Sequence, residues 1–332
     1  MSSSRIWVGG YTEDMNGSAE GIAILRVAPD GSLENRGLAA AADSPSFLAS
    51  SGDTLYAAGE GARAVTAYRI AGDELHFLGV QDTAGDLPCA LAVLGDRLAL
   101  AVACYGDGIL DVHPLAPDGA IGKTGHSLRG AGKGTRLNQD EPHAHAALQV
   151  DATTVLSTDL GTDEVYIHTL EGDVLTRIGS LRFPDGSGPR DLLPHPSGVV
   201  YLLAELGNEV FVLERADEGY AISGQVALPG AAEGDHAAAL ALSTDGQFLY
   251  SALRGSDNLA VLSVRDDGKT LSPVGAVSSG GGWPRHLVMD GEYLRVANQL
   301  TSSVVTFTLG ADGLPVQHSS LVVPSPTCLL LG

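Results

Sequence analysis

Glu141-Pro142-His143-Ala144-His145 heads an apolar run, directly after a polar, glycine-rich insert from Arg129 to Asp140. The proline-led run is not isolated. It recurs as Ser44-Pro45-Ser46-Phe47-Leu48, Leu87-Pro88-Cys89-Ala90-Leu91, Gly188-Pro189-Arg190-Asp191-Leu192, Trp283-Pro284-Arg285-His286-Leu287 and Ser325-Pro326-Thr327-Cys328-Leu329. The interval between Pro189 and Pro284 is double-length. Asp235-His236-Ala237-Ala238-Ala239-Leu240 fills its middle, with Ala237 in the proline's place. The pattern therefore occurs seven times along the chain, and self-similarity at a fixed period is the mark of a repeat architecture.

A second apolar run follows each copy, as in Leu98 to Cys104, Val200 to Glu205 and Leu249 to Arg254; Ile6 to Tyr11 is the seventh. A third run alternates apolar and polar residues, as in Val165 to Leu170 and Val304 to Leu309, which suits strands with one buried face. Turn signals separate the runs: Asp30-Gly31, Asp118-Gly119, Asp245-Gly246, Asp267-Gly268 and Asp312-Gly313. Helical periodicity is nearly absent. Units of about 40 to 50 residues with about four strands each predict the blades of a β-propeller. The expected fold is all-β, a seven-bladed β-propeller of four-stranded antiparallel blades forming a single domain over residues 1–332. The Pro326 run lacks a following second strand and the Arg5 run lacks an inner strand, so the N- and C-terminal strands should close one blade. A closed ring leaves no free sheet edge, which predicts a monomer.

Bulk properties agree. The chain has 332 residues, 44% of them apolar and 18% charged, and its 43 glycines are spread without a linker block. The net charge of −21 disfavours nucleic acid and anionic membranes as partners. Arginines and histidines must then be gathered locally if the substrate is an anion. Three cysteines without close spacing form neither a disulfide framework nor a zinc site and suit a reducing cytosol. No hydrophobic signal core precedes Arg5 and no run is long enough to span a membrane, so a cytoplasmic location is expected.

Polar residues fall at fixed places in the repeat. The second runs end in Tyr11, Glu60, Cys104, Asp159, Glu205, Arg254 and Gln299. The residues after the prolines are Ser46, Cys89, His143, Arg190, Ala238, Arg285 and Thr327. Inner strands of a propeller line its channel, so both sets are expected to face a shared polar pocket. This register, alongside Arg190 and Arg285, favours His143 over His145 as the site histidine.

Several motifs now resemble those of a known family. They are Tyr11-Thr12, Pro142-His143-Ala144-His145, Asp159-Leu160-Gly161, Gly188-Pro189-Arg190, Ala204-Glu205-Leu206, Ser243-Thr244-Asp245-Gly246, Arg254-Gly255 and Ala297-Asn298-Gln299. In this order and spacing the chain resembles the seven-bladed β-propeller lactonases, which include propeller-type 6-phosphogluconolactonases and fungal carboxy-muconate lactonizing enzymes. The resemblance implies a catalytic set of His143 (or His145), Arg190, Glu205 and Arg254. Departures occur at Asp191, where the family often has histidine, at Ala204, where asparagine is common, and at Ala238-Ala239-Leu240, where an Ala-Glu-Ile run is usual. His236 lies near that last segment but out of register.

Lactone hydrolysis needs an activated water, a cation or donor for the oxyanion, and a proton for the leaving alkoxide. His143 suits proton transfer, Glu205 would orient the imidazole or activate the water, and Arg190 and Arg254 would hold anionic groups. His145, Asp159, Arg285 and Gln299 are expected to contact substrate, joined by Arg136 (with Lys133) if the insert folds over the channel. His143, His145, Asp159 and Glu205 are metal-ligand types, but neighbouring arginines oppose a cation, so neither metal nor cofactor is expected. The expected activity is hydrolysis of a sugar lactone, 6-phosphogluconolactone or a related aldonolactone. The alternatives are a carboxy-muconate-type cycloisomerase and a non-catalytic binding scaffold.

Overall fold

The computed structural model describes residues 5–217 and 219–332; Met1 to Ser4, ahead of the first strand, lie outside the described residues. The strands form seven four-stranded sheets with antiparallel pairing, the blade number read from the repeat. Blade 1 comprises Pro45–Ser51, Thr54–Gly59, Ala64–Ala71 and Glu74–Asp82. Blade 2 comprises Pro88–Leu94, Ala99–Cys104, Ile109–Pro114 and His126–Arg129, and blade 3 Ala144–Gln149, Thr154–Asp159, Glu164–Glu171 and Val174–Arg182. Blade 4 has Pro189–Pro194, Val200–Ala204, Glu209–Ala216 and Gly219–Ala227; blade 5 has His236–Leu242, Phe248–Arg254, Asn258–Arg265 and Thr270–Ser278. Blade 6 has Pro284–Asp290, Tyr293–Asn298, Ser303–Leu309 and Pro315–Val322. Blade 7 joins the two ends of the chain: Pro326–Leu331 pairs with Arg5–Gly10, followed by Gly21–Val27 and Leu33–Ala41. Ile6 stands opposite Leu331 and Val8 opposite Leu329, the closure that the unpaired terminal runs required.

Two compact units are present. One spans Leu38–Arg190 with Tyr11–Ile22 and holds blades 1 to 3; the other spans Asp191–Gly332, Ala23–Gly37 and the first strand and holds blades 4 to 7. Within each, neighbouring sheets bury their faces against one another. Tyr56, Ala58 and Val65 of blade 1 meet Leu91, Leu100 and Val102 of blade 2. Tyr201, Leu203 and Val212 of blade 4 meet Leu240, Leu249 and Leu262 of blade 5. A second strand covered on both faces has no reason to alternate, and Val200–Ala204 is buried at every position. The outer strand Gly219–Ala227 is mostly exposed. Each fully buried Val or Leu contributes about 1.5–3 kcal/mol, so the central strands supply most of the stabilisation.

A repeated side-chain tether links neighbouring sheets. The Tyr56 hydroxyl donates to the Gly119 carbonyl of the next blade at 3.1 Å, Tyr201 to Gly268 at 2.9 Å and Tyr250 to Gly313 at 3.0 Å. Blade 6 has Arg295 at the corresponding place, and its guanidinium donates to Gly31 of blade 7. The acceptors are the glycines of the Asp-Gly turns, with φ between 80° and 88°. A Cβ on Gly31 would lie 2.1 Å from the Tyr293 ring. Glycine there permits both the left-handed turn and the close approach.

The pairing corrects the register inferred from the prolines. The inner strands of blades 1, 2 and 6 carry a one-residue bulge after their first residue: Ser46 lies between Pro45 and Phe47, Cys89 between Pro88 and Ala90, and Arg285 between Pro284 and His286. In blade 3 the bulge falls between Ala144 and Ala146. His145, not His143, therefore shares the place of Cys89 and Arg285. Backbone bonds give the same alignment: Glu60 N donates to Ser44 O, Tyr105 N to Leu87 O, Leu160 N to His143 O and Gln299 N to Trp283 O. Tyr105 and Leu160, not Cys104 and Asp159, thus occupy the place of Glu60. Pro142 misled because a proline fixes local chain direction, not the partner of its neighbour.

Candidate active site

In the unit holding blades 1 to 3, the site is built around His143. Its strand starts at Ala144, so His143 sits on the connection entering the blade. Its main-chain N–H donates to Asp159 Oδ1 at 2.8 Å, and the same oxygen accepts from Thr162 N at 3.1 Å. Asp159 is 1% exposed, and burial raises its carboxyl above the ordinary range. It anchors the backbone that presents His143. The His143 ring lies against Tyr105, with centroids 4.4 Å apart and planes 12° from parallel. His143 Nδ1 lies 2.6 Å from the Tyr105 carbonyl oxygen. A carbonyl only accepts, so Nδ1 carries the proton and Nε2 keeps its lone pair. Nε2 faces the exposed Asp140 carboxylate at 3.6 Å. His145 meets the same Tyr105 edge-on at 5.9 Å. Cys89 lies alongside, its Sγ 3.8 Å from the His145 carbonyl.

The insert is a folded loop. Arg129 and Glu141 close its base with a 3.0 Å ion pair, and buried Gln139 fills its interior. The Gln139 side chain accepts from the Thr135 and Arg136 amides and donates to Leu160 O and Asp163 Oδ1. Asp163 also accepts from the amides of Gly186 and Gly188, on the segment that leads into Arg190. One buried carboxylate thus pins both the insert and the approach to Arg190. A Cβ on Gly186 would lie 2.8 Å from Arg136 Nε, so Arg136 rests over that approach. Lys133 and Arg136 are exposed and have no acidic partner among the described residues. Arg190 is buried, its carbonyl accepting from Thr158 Oγ1 at 3.1 Å. At the same end, the Tyr11 hydroxyl donates to Glu60 at 2.9 Å.

In the unit holding blades 4 to 7, Glu205 follows the end of Val200–Ala204 and Arg254 ends Phe248–Arg254. The two form a buried ion pair at 2.9 Å. His236 stands opposite Arg254 across the sheet, its Nδ1 3.1 Å from the same Glu205 Oε1. Arg254 Nε donates to the His236 carbonyl at 3.2 Å. The Arg254 guanidinium also lies over the Trp283 ring, 5.6 Å from its centre, within cation–π range. Arg285 reaches Gln299 at 3.5 Å.

The expected residues therefore fall into two clusters. His143, His145 and Asp159 share one, with Arg136 on the insert and Arg190 near the start of the strand Pro189–Pro194. Glu205 and Arg254 share the other, with Arg285 and Gln299 on the next blade. Three further contributors, Tyr105, His236 and Trp283, emerge only from the structure. Aligning the repeats on their apolar second strands would have found Tyr105, because it follows Cys104 as Glu60 follows Gly59. His236 carried no such signal, since its value comes from pairing with Arg254. Among the described residues no three His, Cys, Asp or Glu side chains are grouped as metal ligands, and the three cysteines are thiols outside any disulfide. No helix is long and apolar enough to cross a membrane.

Residues 5–331 match the family described as "Lactonase, 7-bladed beta-propeller". The 6-phosphogluconolactonase of Bacillus subtilis (strain 168) is 32% identical over 340 residues, covering 97% of this chain and 97% of that protein. Among solved structures, a Lactobacillus plantarum protein is similar with a TM-score of 0.91 at 29% identity, covering 99% of each chain. The periplasmic gluconolactonase of Pseudomonas aeruginosa gives 0.90 at 27% identity, covering 98% of each.

Proposed function

Because this chain belongs to the seven-bladed β-propeller lactonase family and is thus a lactone-hydrolysing enzyme, a carboxylic ester hydrolase, we propose that its substrate is a sugar lactone carrying an anionic group. 6-Phosphogluconolactone or a related aldonolactone is the substrate class we assign.

The observation that carries the reading is the fixed tautomer of His143. With Nδ1 committed to the Tyr105 carbonyl, Nε2 is the basic atom and needs no rearrangement before accepting a proton. In the proposed reaction, His143 takes a proton from water as the water oxygen attacks the lactone carbonyl carbon. The carbonyl electrons move to oxygen, and the guanidinium of Arg190 stabilises that charge. Collapse breaks the bond to the ring oxygen, which receives the proton that His143 took from water, giving the open hydroxy acid and regenerating neutral His143. The family resemblance assigns Arg254 and Glu205 to the catalytic set. Lys133 and Arg136, cationic and without an acidic partner among the described residues in a chain of net charge −21, support an anionic substrate.

Incubation of the purified protein with phosphorylated and unphosphorylated sugar lactones, and with muconate lactones, tests the assignment. Turnover of a phosphorylated aldonolactone with the highest kcat/KM is expected. Exclusive turnover of a muconate lactone would replace hydrolysis of sugar lactones by the cycloisomerase reading.

A further inference from the structure

We infer that the insert positions His143: Gly130, its second residue, closes over the carboxyl of Asp159, and Asp159 holds the main chain that presents the imidazole. Asp159 is then a positioning residue that substrate does not touch. The inference rests on the lactonase reading for the chemistry of His143, and on close contacts around its main chain for the rest.

One turn holds both main-chain polar atoms of His143. His143 N donates to Asp159 Oδ1 at 2.8 Å, and Leu160 N donates to His143 O at 2.8 Å. The turn is wedged in place. A Cβ on Gly161 would lie 1.9 Å from the Glu141 carbonyl oxygen and 2.9 Å from His143 N, so glycine is what lets the turn come this close. The insert grips the turn from outside. Gln139 Nε2 donates to Leu160 O at 2.8 Å, and a Cβ on Gly130 would lie 1.9 Å from Asp159 Oδ2.

Asp159 Oδ2 is the atom that reveals the arrangement. It is buried with no hydrogen-bond partner among the described residues. A carboxylate oxygen beside solvent would be hydrated, and leaving one dry is costly. This one lies under the Gly130 main chain instead. Closure of the insert thus dries the carboxyl, in keeping with the rise that burial gives its pKa. Bonds independent of Asp159 secure the closed position. Gly130 N donates to Gly108 O at 3.1 Å, Arg177 Nη1 to Arg129 O at 3.0 Å and Arg129 Nε to Asp107 O at 2.7 Å.

The opposite side is equally tight. Gly108 belongs to the turn that carries Tyr105, and a Cβ on it would lie 2.3 Å from Pro142 Cβ. That turn therefore meets the His143 ring through the Tyr105 carbonyl and the preceding residue through Gly108. With its main chain held by the turn at Asp159 and its ring by Tyr105, His143 has one place to sit. A misplacement of about 1 Å at a reacting group can cost about 100-fold in rate, so the insert matters to kcat through this seat.

The test compares G130A, D159A and D159N with wild type on the preferred lactone. Gly130 lies outside the left-handed region, so alanine there meets only the contact with Asp159 and Pro142. G179A, on the outer strand of blade 3 with open space at its Cβ, is the control and should keep wild-type kcat. G130A and D159A should each lose about 100-fold in kcat. Asparagine still offers Oδ1 to the His143 amide, so D159N should recover most of the kcat lost in D159A, with no rise in KM. The second readout is the ring-nitrogen NMR spectrum of His143, assigned by its loss in H143Q and recorded where the ring is neutral. Wild type and D159N should show the Nδ1–H tautomer, and G130A and D159A a mixture of both tautomers. Wild-type kcat and tautomer in G130A and D159A would overturn the inference. So would a KM raised about 10-fold in D159N at unchanged kcat, the mark of a substrate contact. The two Asp159 variants decide the question if G130A does not fold. The spectrum needs no substrate. A tautomer lost in G130A and D159A, with no lactone turned over by wild type, would support the positioning and overturn the lactonase reading.

Discussion

Nδ1 of His143 donates to the main-chain carbonyl of Tyr105 at 2.6 Å, and the Tyr105 ring stacks on the same imidazole. The contact makes the histidine's role separable from its support. H143Q should fold, because the backbone amide still reaches Asp159, and should lose about 100- to 10,000-fold in kcat. Tyr105→Ala keeps the carbonyl but removes the stack, so a loss of about 10-fold is expected. H145A, changed at the bulge, should act mainly on KM. Steady-state kinetics on all three variants checks the order. Full kcat in H143Q, or a larger loss in H145A, would shift the proton transfer away from His143.

Arg136 is held near the approach to Arg190 by a loop pinned through Gln139 and Asp163. R136A should raise KM for a phosphorylated lactone about 10-fold and leave kcat within a factor of two, since an exposed cation binds ground and transition states alike. KM for an uncharged aldonolactone should stay unchanged. Added salt should erode the difference between wild type and variant, as it screens exposed charges. Equal KM values for both substrates in R136A would remove the insert from recognition.

The blade count was legible because each repeat carries its own punctuation, a proline before the inner strand and Asp-Gly at the turns. Glu205 and Arg254 were legible for a related reason: a charged residue at the end of an apolar strand contrasts with everything before it. The blade 3 register was not legible from Pro142, because a bulge shifts pairing without changing composition. His236 was hidden for the same reason. In one dimension it is a histidine beside alanines, and only the pairing with Arg254 carries its ring to Glu205. Tyr105 contributes through its backbone as well as its ring, and a backbone contribution leaves no trace in residue type.

The tethers between sheets predict a graded stability series. Tyr201→Phe and Tyr250→Phe each remove one buried hydroxyl bond to a turn carbonyl and should cost about 1 kcal/mol. Arg295 is different. It is fully buried, pairs with Asp290 at 3.0 Å and donates to Thr306 and Gly31. Burial, opposed by that pairing, lowers its pKa. R295A strands the Asp290 charge and should cost about 3–5 kcal/mol. Urea unfolding of the three variants measures the series, and a tyrosine variant as unstable as R295A would contradict it.

His168 supplies a pH dependence of known sign. It lies fully buried in the third strand of blade 3, with Nε2 2.8 Å from Ser157 Oγ. Burial first, and the positive charge of Arg177 second, push its pKa down from 6.5 to about 4. The folded protein therefore keeps this ring neutral where the unfolded chain protonates it. Its stability contribution is whole above pH 6.5, falls as pH drops toward 4, and levels off below. At about 1.4 kcal/mol per pKa unit, the loss between pH 7 and pH 5 is about 2 kcal/mol. Other groups titrate over the same range, so the informative quantity is the difference from a variant. H168Q keeps a hydrogen-bonding group for Ser157 and cannot titrate. Urea unfolding at pH 7 and pH 5 should show wild type losing about 2 kcal/mol more than H168Q. Parallel losses in the two proteins would mean that the folded state accepts a proton on this ring as readily as the unfolded chain does.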